Sequence, residues 1–269
     1  MKKKINLSDF SICIRGGGDI ASGVACRLYK CGFRVYITEI DRPMAVRRKV
    51  AFCEAVYDGR AELEGIEALL VNSPGEIPDV WSRGRIPVII DPLNNSRHET
   101  SPDILIDATI AKRNLGTFID HAPLVIALGP GFAAGRDAHI VIETNRGHNL
   151  GRALTEGSAE PDTGVPSPIE GFSRDRVLRS PADGIFKNKM DIGDLVKKGD
   201  TVGFVNEIPV KTLIGGALRG LIRPGISVSK GLKIGDVDPR GKTEYCFTIS
   251  EKALAIAGGV LEGILRSFT

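Results

Sequence analysis

The fold of this chain is decided by the stretch Ser11-Ile12-Cys13-Ile14-Arg15-Gly16-Gly17-Gly18-Asp19-Ile20-Ala21-Ser22-Gly23. A short β-prone run leads into three glycines, and a helix-compatible sequence follows to about Cys31. Gly16, Gly18 and Ala21 have the G-x-G-x-x-G/A spacing of a dinucleotide-binding turn. In such a turn the second glycine lets the backbone approach a phosphate closely. The stretch therefore predicts a strand, a ligand-binding turn and a helix.

A second strand, Phe33 to Ile37, is predicted to end beside Glu39. Glu39 lies about twenty residues beyond the glycines, where an acidic side chain can hold a ribose hydroxyl. Strand, turn, helix, strand and acid in this order favour a nucleotide-type ligand. A glycine-rich turn that only closes a βαβ unit is the alternative.

Apolar runs that end in turn or acidic residues recur through the first half of the chain. Such runs are typical of parallel strands buried on both faces, so we expect a mostly parallel, Rossmann-like α/β sheet. Ligands of such sheets bind beyond the carboxyl ends of the strands. Aspartate and glycine are also ordinary turn residues, which is the alternative interpretation for each position. The residues predicted to bind a cofactor there are Gly16, Gly17, Gly18, Asp19, Ile20, Glu39, Asp107, Thr109, Gly129 and Gly131.

Two arginines that follow the second strand, Arg47 and Arg48, complete the predicted cofactor site. Guanidinium groups make charge-assisted, bidentate bonds to phosphate, which favours a phosphate-bearing nucleotide or pterin cofactor. A solvated helix face is the alternative for either residue. The sequence singles out no catalytic residue, and its histidines lack metal-site spacing, so no metal site is expected.

Composition limits the classes of partner. The net charge of +3 is too small to argue for nucleic acid, and no apolar run reaches the roughly 18 residues of a membrane span. The basic start, Met1 to Lys4, is not followed by the apolar region of a signal peptide. Five cysteines without a C-x-x-C pair fit reduced, buried thiols. We therefore expect a cytoplasmic protein with neither nucleic-acid nor membrane partners.

Residues 156–175 are rich in polar residues, glycine and proline, which predicts a linker or lid. Beyond this segment the spacing of the apolar residues and glycines changes. Gly193, Val196, Gly199 and Gly203 recur at an offset of 32 as Gly225, Val228, Gly231 and Gly235. Two such units resemble the quasi-repeat of biotinyl and lipoyl domains, a small all-β barrel-sandwich. Where the modified lysine of those domains should stand, at the hairpin tip, this chain has Pro209. Biotin or lipoate is therefore not expected.

These patterns predict four segments. They are a Rossmann-like nucleotide- or cofactor-binding domain at 1–155, a linker or lid at 156–175, a barrel-sandwich domain at 176–245, and a C-terminal helix at 246–269. Ser250 is the expected N-cap of that helix.

Several longer motifs carry a family resemblance. They are Arg15 to Ala21, Arg47 to Val50, Glu54 to Tyr57, Gly129 to Phe132, Val141 to His148 and Gly235 to Arg240. With these motifs the chain resembles the YqeB-like family of accessory proteins of selenium-dependent molybdenum hydroxylases, related to the xanthine dehydrogenase accessory factors of the XdhC and CoxI type. The resemblance implies a maturation role for a client molybdenum hydroxylase, with the molybdenum cofactor as the ligand. The appended barrel-sandwich departs from those relatives.

Three functions stay open from the sequence. The first is a maturation factor that binds the molybdenum cofactor or a nucleotide such as NAD, NADP or FAD. The second is an NAD(P)-dependent oxidoreductase that uses the same turn, and the third is a non-enzymatic scaffold that recruits a partner. Whether the chain is an enzyme, and its oligomeric state, are not determined by these patterns.

Overall fold

The computed structural model describes residues 6–268, which form two compact units. The first unit comprises residues 6–43, 51–162 and 249–268, and the second comprises 44–50 and 163–248. The division differs from the predicted boundaries, because residues 44–50 group with the β-rich second unit. The C-terminal helix groups with the first unit.

A nine-stranded sheet forms the centre of the first unit. Its strands are β1 (Ser11–Arg15), β2 (Arg34–Glu39), β3 (Arg60–Leu63), β4 (Ile66–Val71), β5 (Ile86–Ile90), β6 (Ile104–Asp107), β7 (Leu124–Leu128), β9 (Ile140–Ile142) and β10 (Ala153–Leu154), and a separate pair is formed by β8 (Ala133–Ala134) and β11 (Gly157–Ser158). The order across the large sheet is β10-β9-β7-β6-β1-β2-β5-β4-β3.

The strands at the centre of this sheet are parallel. β1 pairs with β2 on one side and with β6 on the other, and β7 continues the parallel arrangement beyond β6. Their residues are almost entirely buried, as expected of apolar runs covered on both faces. The carboxyl ends of β1, β2, β5, β6, β7 and β9 consequently lie at one edge of the sheet.

Two long helices pack together in the first unit, α1 (Asp19–Lys30) and α5 (Glu251–Phe268). A Cβ placed on Gly23 of α1 would lie 2.7 Å from the Cβ of Ala253 on α5, so the small residue permits this close approach. Ser250 Oγ accepts a hydrogen bond from the N–H of Ala253 at 3.2 Å, which confirms the predicted cap of α5. The remaining helices of the described residues are short: α2 (Ala55–Asp58), α3 (Ile77–Ser82) and α4 (Arg97–Thr100).

The second unit consists of two four-stranded antiparallel sheets, with the orders β12-β19-β17-β14 and β16-β15-β13-β18. Their strands are β12 (Val177–Arg179), β13 (Gly184–Asn188), β14 (Leu195–Val196), β15 (Thr201–Val205), β16 (Ile208–Lys211), β17 (Gly216–Leu221), β18 (Ser227–Val228) and β19 (Lys233–Asp238). The sequence repeat is visible in the pairing, because β13 pairs with β18 of the second copy while β17 pairs with β14 of the first. Phe186, Leu218 and Ile234 are among the side chains of one shared core.

The predicted fold class, a Rossmann-like mostly parallel sheet followed by a barrel-sandwich domain and a helix, is wrong. The large sheet is mixed, since β3 runs antiparallel to β4 at one edge and β10 antiparallel to β9 at the other. The connection from β6 to β7 contains a 3-10 turn in place of a crossover helix, and that from β5 to β6 only the single turn α4. The remainder is two separate antiparallel sheets rather than a confirmed barrel-sandwich.

The predicted hairpin tip is also corrected. β15 and β16 are joined by Asn206 and Glu207, and Pro209 lies within β16 opposite Phe204. Pro209 therefore does not occupy the tip of the hairpin.

Candidate functional site

The glycine turn joins β1 to α1 at the carboxyl edge of the parallel strands. Gly16 has a φ of +94°, and its N–H donates to the carbonyl of Thr38 at 2.8 Å. A Cβ on Gly16 would lie 3.1 Å from the carbonyl oxygen of Ala108, and one on Gly17 would lie 2.9 Å from the nitrogen of Cys53. The fold of the first unit itself therefore requires glycine at both positions.

Gly18 differs from these two glycines. Its φ is −66°, which any residue can adopt, and a Cβ placed on it would meet no atom of the described chain within 4 Å. Gly18 is also the N-cap residue of α1, so the free N–H groups of the first helical turn and the helix dipole lie beside this open space. The geometry leaves room for an anionic group at the place where the backbone attracts one.

Asp19 and Ile20 form the first turn of α1 beside Gly18. The Ile20 side chain is buried in the core, so only its backbone can face a ligand. Asp19 is half-buried and places a negative charge at the helix N-terminus, where it interacts favourably with the dipole. A phosphate at Gly18 consequently needs a nearby cation to offset Asp19.

The carboxylate of Glu39 supports the glycine turn. Oε2 accepts a hydrogen bond from the N–H of Gly17 at 2.7 Å, and Oε1 accepts one from the N–H of Ile40 at 2.8 Å. Burial raises the pKa of Glu39, and these two backbone hydrogen bonds oppose that shift. Each oxygen keeps a lone pair, so Glu39 can still accept a hydrogen bond from a ligand hydroxyl.

Asp107 and Thr109 are held in a buried network. Asp107 Oδ1 accepts from the hydroxyl of Thr109 at 2.7 Å, and Oδ2 accepts from the hydroxyl of Thr117 at 2.6 Å. The guanidinium of Arg15 lies 3.5 Å from Oδ2 and also donates to the carbonyl of Leu115 at 3.0 Å. Both predicted ligand-binding side chains are thus engaged in fixing the loop that follows β6.

Gly129 and Gly131 allow close packing of loops at the same edge. A Cβ on Gly129 would lie 2.6 Å from Thr144 Oγ1, and one on Gly131 would lie 2.6 Å from the Cα of Arg113. Both have positive φ, +80° and +105°. Positive φ angles and close neighbouring atoms of the same chain explain both glycines, so no ligand is needed to account for them.

Arg47 and Arg48 lie in the second unit. Arg47 donates to the carbonyls of Tyr245 and Thr248 at 3.1 and 3.2 Å. Arg48 donates to the carbonyl of Leu221 at 3.1 Å and forms an ion pair with Asp191. Ten of the twelve predicted site residues are therefore in the first unit, and these two have structural partners in the second.

Lys252 was missed by the sequence analysis. It lies half-buried on the first turn of α5, and no residue among 6–268 accepts a hydrogen bond from its ammonium group. Burial, and then the charge of Arg146, lower the pKa of Lys252, while Asp19 and Glu143 act in the opposite direction. The sequence offered one signal, a lysine at the second position after the N-cap Ser250 of an apolar helix. Its closeness to Asp19 arises only from the packing of α1 on α5.

Residues 6–268 show neither a metal centre nor a membrane-spanning helix. Residues 6–268 contain no group of three or more His, Cys, Asp and Glu side chains placed to hold a metal ion. None of the helices in that range is long and apolar enough to span a membrane.

Comparisons with known proteins give one sequence relative. The chain is 49% identical over 254 residues to the uncharacterized protein YqeB of Escherichia coli (strain K12). The match covers 94% of this chain but 47% of the relative, so the chain spans about half the length of that protein. No protein-family profile matches the chain.

Solved structures show weaker similarity. TcdA (CsdL) is 14% identical, with 97% of this chain and 89% of that chain covered and a TM-score of 0.35. An aspartoacylase family protein from Mesorhizobium loti is 15% identical, with 84% of each chain covered and a TM-score of 0.26. A succinylglutamate desuccinylase from Silicibacter sp. TM1040 is 14% identical, with 85% and 84% covered and a TM-score of 0.25. TM-scores this low assign neither a fold nor an activity.

Proposed function

We propose that the first unit binds a phosphate-bearing cofactor at the N-terminus of α1, with the phosphate against Gly18. The observation that carries the proposal is the open space in front of Gly18. Gly16, Gly17, Gly129 and Gly131 are explained by positive φ or by neighbouring atoms, whereas Gly18 has neither reason to lack a side chain. Glycine is also an accepted N-cap residue, and at this helix start its bare backbone additionally permits the close approach of a ligand.

Lys252 supplies the charge that such a ligand needs. Its ammonium group has no hydrogen-bond acceptor among the described residues. Burial, and then the positive charge of Arg146, lower its pKa although nearby carboxylates oppose the shift, so a further negative charge would favour the charged form. Phosphate would add that charge and accept a charge-assisted hydrogen bond. Arg146 beside it is already paired with Glu251 at 2.6 Å, so the positive charge for the ligand has to come from Lys252.

The biological role follows from the sequence resemblance together with this site. We propose an accessory or maturation factor for a selenium-dependent molybdenum hydroxylase, which would hold a molybdopterin-type cofactor or a nucleotide. The supports are the motifs from Arg15 to Ala21 and from Val141 to His148, since both lie in the first unit. The client hydroxylase and the ligand are part of the proposal.

A second candidate is an NAD(P)-dependent oxidoreductase. The placement of Glu39 favours it, because the carboxylate stands at the end of β2 and directly beside Gly17. This is the place from which an acid binds a ribose hydroxyl in dinucleotide sites.

Calorimetric titration with ADP, NAD and molybdopterin tests the site. Gly18→Val should abolish binding by filling the open space, and Lys252→Met should weaken it by about tenfold or more through loss of a charge-assisted bond. Gly258→Ala is the control, because Gly258 also faces open space but lies in α5 away from its first turn. Unchanged binding in Gly18→Val, or no binding of any probe by the wild type, would contradict the proposal.

Glu39→Gln separates the two candidates. It keeps an oxygen for the N–H of Gly17 but weakens hydrogen bonding to a ribose diol, so NAD affinity should fall by about tenfold if NAD is the ligand. Molybdopterin has no ribose, and its affinity should stay unchanged. NAD binding that depends on Glu39, with no molybdopterin binding, would favour the oxidoreductase.

A further inference from the structure

A cavity lies in the first unit, between α4 and the segment 118–123 that leads into β7. Its volume is about 1050 Å³, and its lining includes Arg97, His98, Phe118 and His121. None of the glycine-turn residues lines it. The inference from this cavity is therefore independent of the function proposed above.

Arg97 brings an uncompensated positive charge to this cavity. Its Nη1 donates to the backbone carbonyl of Asn94 at 2.6 Å, and no carboxylate of residues 6–268 forms an ion pair with it. Arg136, which also lines the cavity, is different because Asp137 neutralises it through bonds of 3.0 and 2.8 Å. A carbonyl dipole does not neutralise a guanidinium, so Arg97 retains bonding capacity toward an anion.

The charge of Arg97 also acts on His121, which lines the same cavity. Burial, and then the charge of Arg97, lower the pKa of His121. Asp120 acts against this shift, but its effect is smaller than that of Arg97, and Arg15 and His98 add to the lowering. An anion bound beside His121 would reverse this electrostatic effect.

Phe118 provides an apolar surface in the same cavity. The side chain is 57% exposed, and its ring meets the ring of His121 edge to face, with centroids 5.2 Å apart. Exposed aromatic faces bind planar ligand groups in offset or edge-to-face arrangements. The guanidinium of Arg97, two imidazoles and an aromatic face thus converge on one space, whose lining also includes the carboxylate of Asp120.

We propose that this cavity binds a phosphate monoester with a planar aromatic body. Arg97 holds the phosphate, with His98 and His121 as further donors, and the aromatic body lies against Phe118.

NMR titration of the whole protein with phenyl phosphate and methyl phosphate tests the site. We expect phenyl phosphate to bind about two- to tenfold more tightly than methyl phosphate, because only phenyl phosphate contacts an aromatic face. Phe118→Leu should remove this difference. Arg97→Gln should weaken both ligands by about tenfold, whereas Arg83→Gln, on an exposed arginine paired with Asp79, should change neither.

The histidine signals provide an independent readout. Saturation with phenyl phosphate should raise the pKa of His121, and Gly18→Val should leave this response intact. Equal affinities of both ligands for the wild type would overturn the aromatic part of the proposal. The site would be ruled out if Arg97→Gln bound both phosphates with unchanged affinity, or if the His121 signals did not shift on addition of phenyl phosphate. Either result would hold even if the glycine turn binds its cofactor.

Discussion

Glu39 and Gly17 are joined by a hydrogen bond of 2.7 Å from the Gly17 N–H to Glu39 Oε2. The acid that the sequence assigns to a ligand hydroxyl therefore also holds the turn that would bind the phosphate. This coupling means that substitutions that remove the oxygen facing Gly17 alter the shape of the glycine turn as well as any contact with a ligand, whereas Glu39→Gln retains an oxygen for that bond. Stability and ligand affinity must accordingly be measured together at this position.

The first prediction concerns the pH dependence of stability. Burial raises the folded-state pKa of Glu39 above 4.5, so its contribution is fully present below pH 4.5 and is lost as pH rises through the raised value. Relative to Glu39→Gln, the wild type should lose stability over that window. Urea unfolding followed by Trp81, the single tryptophan, measures this in the first unit. Glu62→Gln, at an exposed position in β3, is the control. The prediction would be contradicted if the free energy of unfolding of Glu39→Gln depended on pH in the same way as that of the wild type and of Glu62→Gln.

The second prediction contrasts two glycines. Gly131→Ala should destabilise the first unit by about 1–3 kcal/mol or more, because φ is +105° and the new Cβ would lie 2.6 Å from Arg113. Gly18→Ala should cost only about 0.5–1 kcal/mol, the preference for glycine over alanine at an N-cap, since its φ is ordinary and the space is open. Trp81-monitored urea unfolding of both variants checks this, and equal losses would show that the open space is not as described.

The third prediction concerns the buried pair of Arg15 and Asp107. Asp107→Ala leaves the guanidinium of Arg15 buried without its carboxylate, so we expect a loss of about 3–5 kcal/mol. The double variant Arg15→Met, Asp107→Ala should lose less than the sum of the single losses, since it removes both charges. A double-mutant cycle in urea measures this coupling. Strict additivity would mean that the two charges do not depend on each other.

The fourth prediction decides between structural and ligand-binding roles for Arg47 and Arg48. If their carbonyl bonds are the main contacts, Arg48→Ala should destabilise the second unit by about 1.5–3 kcal/mol and leave cofactor affinity unchanged. Faster amide hydrogen exchange at Ile222 and Val237 would report that loss. The sequence-based expectation is instead a loss of about 1.5–3 kcal/mol in affinity for a phosphate-bearing ligand. Calorimetry on the same variants distinguishes these outcomes, with Lys49→Ala as the exposed neighbouring control.

The sequence by itself determined the local elements of the first unit. The apolar runs at 12–14, 35–37, 104–106 and 124–128 all form strands, and the helix predicted from Ile20 to about Lys30 is α1. The Ser250 cap also forms as predicted. These features depend on short-range periodicity, turn residues and capping, which neighbouring positions in the chain determine almost alone.

Tertiary structure alone decided the direction of the edge strand β10 and the partners of the charged side chains. β10 runs antiparallel to β9 after a connection long enough to allow either direction, whereas the two-residue turn Glu64-Gly65 by itself makes β3 and β4 antiparallel. Arg47 finds its carbonyl partners about two hundred residues away in sequence, and Lys252 comes near Asp19 only because α5 packs on α1. Pairing direction and long-range charge contacts depend on which surfaces meet after folding, and residue type at one position does not encode that choice.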